Sequence, residues 1–107
     1  MIVVTTEHVS GQQETTSLGL VRGSSIRARH LGRDIMAQFR NIAGGEVHEY
    51  SKLLGESREQ AIDRMIEEAE ALGADGIIGV RFQTSMVMQG AAEMLCYGTA
   101  VKLEAAF

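Results

Sequence analysis

Ala71–Val80 reads ALGADGIIGV, and this stretch decides the fold class, because a helix stops and a buried strand starts within it. Upstream, Val47–Leu72 carries Tyr50, Leu54, Ala61, Met65, Ala69 and Leu72 on one helical stripe, with Leu53, Ile62 and Ile66 beside it. Glu56, Glu59, Asp63, Glu67 and Glu70 take the opposite side. Gly55 interrupts the pattern and is expected to permit close contact with a neighbour. Gly73 is expected to cap the helix, since glycine accepts the positive φ of a C′ position. Downstream, Asp75–Val87 alternates as a strand. Ile78, Val80, Phe82 and Met86 are expected on one face; Ile77, Arg81 and Gln83 on the other. Asp75-Gly76 shapes the turn, and Gly79 is expected to let a neighbouring segment approach the strand.

Working outward, Met88–Ala91 contains a turn and Glu93–Leu103 returns as a strand, which makes an antiparallel hairpin. Leu95, Tyr97, Val101 and Leu103 share one face; Met94, Cys96, Ala100 and Lys102 share the other. Towards the N-terminus, Leu31, Ile35, Phe39 and Ile42 mark a shorter helix over Arg29–Ala43, ended by Gly44-Gly45. Ser17–Ile26 reads as a strand whose Gly19 and Gly23 point to a bulge or a close backbone approach. Glu7–Thr16 reads as a loop or edge segment, and Ile2–Thr5 as a short strand. The fold class that results is α+β. A three-stranded antiparallel sheet carries the long helix on one face, with a short extra helix and an N-terminal strand added. The uncovered face is expected to hold Ile77, Met94 and Cys96, an apolar surface that calls for a partner subunit.

With 107 residues the chain has the length of one domain, 1–107. Only three Phe and two Tyr are present and no Trp, so the core is built from small aliphatic residues, which bury less area each than aromatics. Association would add the missing burial. The net charge of −4 argues against nucleic acid as the main partner. Charge is also uneven. Arg22, Arg27, Arg29, Arg33 and Arg40 share their stretch with Asp34 alone, whereas Glu46 to Asp75 is strongly acidic. No stretch approaches the ~20 apolar residues of a membrane span, and the first residues lack the pattern of a signal peptide. The single cysteine excludes an intrachain disulfide. A cytoplasmic protein is the expectation.

Catalysis finds little support in this sequence. Cys96 falls within a strand, away from the helix N-termini and elbows that activate thiols. Ser24-Ser25 read as turn or capping residues. Gly44-Gly45 precedes a helix, but Glu46 and Glu49 would repel a phosphate there. Arg27, Arg29 and Arg33 offer either an anion patch or ion pairs to the acidic helix, and Glu67, Glu68 and Glu70 read as a solvated face. The expectation is a non-enzyme. Soft-metal binding needs converging thiolate, imidazole or thioether groups. His8, His30 and His48 are widely spaced, so the candidate ligands are Cys96 and Met94, on one strand face, with Met86 and Met88 nearby. The competing reading is that these sulfur-bearing residues are core and interface packing.

Several short motifs occur in order along the chain: GLVRG at Gly19–Gly23, RDI, a later Arg and GG over Arg33–Gly45, and Tyr50 followed by Leu54 and Arg58. ALGADGIIGV at Ala71–Val80 and GTAVK at Gly98–Lys102 follow. In these the chain resembles the YbjQ-like family of small bacterial proteins, described as heavy-metal-binding. The resemblance implies a dodecin-like β-α-β-β subunit assembled into a homopentamer. Residues and resemblance together lead to a self-assembling cytoplasmic domain that binds a small ligand or another protein and has no resident cofactor. The alternative is binding of a soft metal ion through Cys96 and nearby Met residues across subunits.

Overall fold

Where a long helix ends, its last carbonyls need donors, and the sequence after Ala69 supplies them. In the computed structural model of the protein, which describes residues 1–28, 48–88 and 91–106, helix α1 spans His48–Ala71. The Ala74 N–H donates to the Ala69 carbonyl at 3.1 Å and the Gly73 N–H to the Glu70 carbonyl at 2.9 Å. This is the bond pair of a Schellman ending, which requires a left-handed residue at C′. Gly73, with φ 76°, fills that place. Asp75 then turns the chain into the sheet: its N–H donates to the Val101 carbonyl at 2.9 Å, and its Oδ2 accepts from the Leu103 N–H at 3.0 Å.

The strands are β1 (Ile2–Val3), β2 (Gln12–Ala28), β3 (Gly76–Met88) and β4 (Ala91–Ala105). They form one sheet in the order β1-β3-β4-β2. β4 pairs antiparallel with both β2 and β3, while β1 pairs parallel with β3. The expected three antiparallel strands are therefore β3, β4 and β2, but the sheet has four strands and is mixed. The N-terminal strand joins it because Val4 continues the pairing beyond β1: its N–H donates to Ile77 and its carbonyl accepts from Val80. β2 begins at Gln12, inside the segment expected to be a loop, and runs for 17 residues. At roughly 3.3 Å per residue that length accounts for the molecule's 58 Å long axis.

Irregularities in β2 and β3 set which side chains face the helix. In β2, register shifts fall between Glu14 and Thr16 and between Ser17 and Gly19. In β3, Ile78 pairs with Thr99 but Arg81 pairs with Tyr97, so β3 spends one extra residue there. Gly79, with φ 62°, sits in this bulge, as a left-handed bulge position favours. The bulge reverses the alternation, so Ile77 before it and Val80 after it both enter the core. Strict alternation had separated them.

α1 packs on the face that bears Val21, Ile77, Met94, Cys96 and Ala100. The face expected to stay open, with Ile77, Met94 and Cys96, is thus the covered one. The helix meets it through Ser57, Ala61, Met65 and Ala69, all buried and spaced four apart. Small residues allow close approach, which is tightest at Gly23: a Cβ there would lie 2.1 Å from the Ala61 carbonyl oxygen. Ile62 and Ile66 flank the stripe, partly buried against the core. Leu72, expected to close the stripe, lies beyond the helix end and is 47% exposed. Gly55 meets only the Arg58 guanidinium among the described atoms, at 3.8 Å from a Cβ built on it. The helix expected over Arg29–Ala43 and its Gly44-Gly45 stop lie outside the described residues, as does part of the turn at Met88–Ala91.

Candidate functional site

Every buried thiol or thioether with a described contact gathers between α1 and the sheet. Met65, mid-stripe on α1, points down onto β4 and is fully buried. Cys96 and Met94 stand two residues apart on the same face of β4, both buried, as the alternation of that strand requires. The Cys96 thiol donates to Met65 Sδ at 3.5 Å. Thr84, opposite Met94 in the β3–β4 register, donates its hydroxyl to Met94 Sδ at 3.3 Å. Burial pushes the Cys96 thiol pKa up from its ordinary value, because the apolar surroundings disfavour the thiolate. A thiol held this way is a poor nucleophile.

The sequence placed Cys96 and Met94 together, and the structure keeps them together. Met65 was not among the candidates. It belongs to the helix stripe, and periodicity does not say which helical turn meets which strand residue. Met86 shares the helix-side face of β3, opposite Ala92, but is 79% exposed; the Met88 side chain lies outside the described residues. Among the described residues no three His, Cys, Asp or Glu side chains converge on a point. His8 pairs with the Glu14 carboxylate at 3.1 Å in an exposed setting. His30 lies outside the described residues, as does the His48 side chain. The same holds for Arg29 and Arg33 and for the Arg27 side chain.

Two polar clusters serve the fold. Arg81 Nη1 donates to the Thr5 carbonyl at 2.7 Å and to Val80 at 2.9 Å, and Nη2 lies 3.6 Å from Glu7 Oε1. The Gly79 N–H donates to the Thr6 carbonyl at 2.8 Å, so residues 4–7 are pinned over the β3 bulge. Gly79 does admit a close neighbour, and that neighbour is the Glu7 carboxylate, 3.5 Å from where a Cβ would stand. On the other edge, Ser24 and Ser25 lie within β2, not in a turn. Buried Ser25 donates to Gln60 Oε1 at 2.7 Å, and Arg64 donates to the Ser24 carbonyl, so both serines tie α1 to β2. A shallow groove on α1, lined by Lys52, Gly55, Glu56, Glu59, Gln60 and Asp63, has mixed charge and opens widely to solvent. No helix among the described residues is long and apolar enough to cross a membrane.

The face of the sheet away from α1 differs in character. By the strand alternation it carries Leu20, Arg22, Ser24 and Ile26 of β2 beside Leu95, Tyr97 and Thr99 of β4. Leu20 is 62% exposed and Ile26 60%.

Comparison with known proteins agrees with this architecture. The chain is 58% identical over 103 residues to a "UPF0145 protein" of Methanosarcina acetivorans, covering 96% of this chain and 97% of the relative. It is 57% identical over 104 residues to one of Clostridioides difficile, covering 97% and 93%. Relatives occur in archaea as well as bacteria, which widens the bacterial range expected from the resemblance. A crystal structure of a protein of unknown function from Pediococcus pentosaceus, of the DUF74 family, superposes with a TM-score of 0.68 over 97% of this chain and 98% of that one. At 19% identity it supports the fold alone. Residues 1–104 match the family model described as "Putative heavy-metal-binding", and the chain therefore belongs to the YbjQ family.

Proposed function

We propose that the chain works as a self-assembling, non-enzymatic binding module whose functional unit is a homo-oligomer. The observation that carries this reading is the sheet face away from α1, where Leu20 and Ile26 of β2 stand more than half exposed on the face that also carries Leu95 and Tyr97 of β4. Large exposed aliphatics on a regular strand surface mark an interaction site when they cluster. The shape supports the same reading. A radius of gyration of 17.5 Å exceeds the ~13 Å of a compact chain of this length, so an isolated subunit leaves much of its ladder in water. The segment order β2-α1-β3-β4 fits the dodecin-like β-α-β-β subunit that the resemblance implies, and a cytoplasmic pentamer is the assembly it points to. Static light scattering at micromolar concentration tests the proposal. A mass near five subunits is expected, and a monomer would overturn it.

A second reading, binding of a soft metal ion, has its own observation in the 3.5 Å contact between Cys96 Sγ and Met65 Sδ. Both sulfurs of this contact belong to one subunit, through α1 and β4. Titration of the protein with Ag⁺ tests it; absence of binding would remove it.

A further inference from the structure

The sheet ends in two edges, and each is guarded over one half and open over the other. On the β3 side, β1 pairs through Ile2 and Val3. Residues 4–7 carry that cover on to the bulge, where the Val80 and Gly79 N–H groups donate to the Val4 and Thr6 carbonyls and the Arg81 guanidinium to the Thr5 carbonyl. Beyond Arg81 no described strand lies on that side of β3. On the other side β2 is the outermost strand. Its first half carries two register shifts, between Glu14 and Thr16 and between Ser17 and Gly19, and such irregularities spoil an edge for pairing. From Gly19 to Ala28 its register runs unbroken.

The two open halves lie level. Residues 22–27 of β2 and 81–86 of β3 face the same β4 partners, Tyr97 to Ala92, rung for rung. Each edge therefore offers regular backbone at one height. Neither stretch holds a Pro or an acidic residue, and residues 82–86 carry no charge, so the usual guards of an edge strand are absent from the open half of β3. β2 and β3 both run antiparallel to β4 and hence parallel to each other. Rotation about an axis along the strands, with no shift along it, then brings β2 of one copy beside β3 of the next, level and in the same direction. That is the condition for a head-to-tail contact to close into a ring instead of a filament. Charge agrees. Arg22 is exposed and comes level with Arg81 of the next copy. Nη2 of Arg81 lies 3.6 Å from the Glu7 carboxylate, whose side chain is 72% exposed, so one carboxylate serves both guanidinium groups.

We propose that copies of this chain join edge to edge, with residues 22–27 of β2 pairing in parallel with residues 81–86 of β3 in the next copy. This rests on the self-assembly reading above and names the contact through which assembly proceeds. Main-chain hydrogen bonds supply the attachment, as in strand addition generally. The side chains of Ser24 and Gln83, both level with Leu95, meet across the contact as cross-strand neighbours.

Disulfide trapping in the full chain tests this contact. Ser24→Cys and Gln83→Cys together place two thiols level across it, while the native Cys96 is buried. Under mild oxidation the double variant is expected to give covalent multimers larger than dimers on a denaturing gel, and either single variant to give none. Arg22→Glu is expected to lower the solution mass, and Arg22→Glu/Glu7→Arg to recover it. Amide hydrogen exchange on the wild type, which depends on no variant folding, is expected to be slow at every amide of residues 22–27 and 81–86. A multimeric wild type whose alternate amides exchange fast along both stretches, or whose double cysteine variant is not trapped, would overturn the edge contact while leaving self-assembly standing. Covalent dimers from one single variant would do the same, since they require a symmetric contact. A monomeric wild type would overturn both.

Discussion

The two faces of the sheet are built from the same strands and differ in what covers them. On one face Val21, Ile77, Val80, Met94, Cys96 and Ala100 are buried under α1. On the other, Leu20 and Ile26, each one residue from a buried neighbour in β2, stand more than half exposed. The difference does not lie in hydrophobicity, since Leu and Ile are as apolar as Val and Met. It lies in the helix, whose Ser57, Ala61, Met65 and Ala69 stripe offers small residues and one long thioether to a sheet surface that Gly23 lets it approach. The covered face is a closed packing problem inside one chain, whereas the other keeps Leu20 and Ile26 exposed.

The sharpest way to break the covered face is Met65→Ala. It removes the longest side chain of the stripe from a fully buried site and is expected to cost roughly 2–5 kcal/mol, as comparable core truncations do; urea unfolding checks it. Gly23→Ala overfills the same interface. The added Cβ meets the Ala61 backbone, which cannot swing aside as a side chain can, so a loss at the upper end of about 1–3 kcal/mol is expected. Gly79→Ala places a Cβ on a left-handed residue (φ 62°) and is expected to cost roughly 1–2 kcal/mol, read by the same unfolding curve. On the open face Leu20→Lys and Ile26→Lys are expected to change subunit stability by no more than about 0.5 kcal/mol while lowering the solution mass.

The smallest expected effect is a pH dependence at the sheet's end. The Glu14 carboxyl is held below its ordinary pKa, chiefly by its own main-chain N–H and then by the hydrogen bond and charge of His8. A depressed carboxylate contributes stability above its unfolded pKa, and that contribution is lost as pH falls through the folded value. Stability is therefore expected to fall slightly below about pH 4.5, the ordinary value, and Glu14→Gln is expected to flatten that part of the curve. An unchanged acid limb in the variant would contradict this assignment.

The helix-to-strand junction was legible because its chemistry is local. Gly73 does what glycine after a helical stripe does, and the β3–β4 hairpin follows from two alternating runs. The sulfur pair of Cys96 and Met94 was legible for the same reason, since two residues on one strand share a face wherever that strand goes. What escaped were consequences of tertiary pairing. A single bulge at Gly79 put Ile77 and Val80 on the same side, and no periodicity announces a bulge. The parallel docking of β1 depends on backbone groups of β3 that sequence does not display. Which sheet face the helix covers turned on Gly23 and Ala61 meeting across 38 residues of chain, and the same docking brought Met65 to Cys96.

Closure of the exposed sheet face by another copy of the chain, as proposed, is tested by sedimentation equilibrium on the wild type beside the Leu20→Lys/Ile26→Lys double variant. A wild-type multimer is expected, five subunits by mass, with the variant shifted towards monomer and its circular dichroism unchanged. A monomeric wild type at micromolar concentration, or a double variant that assembles as fully as the wild type, would contradict it.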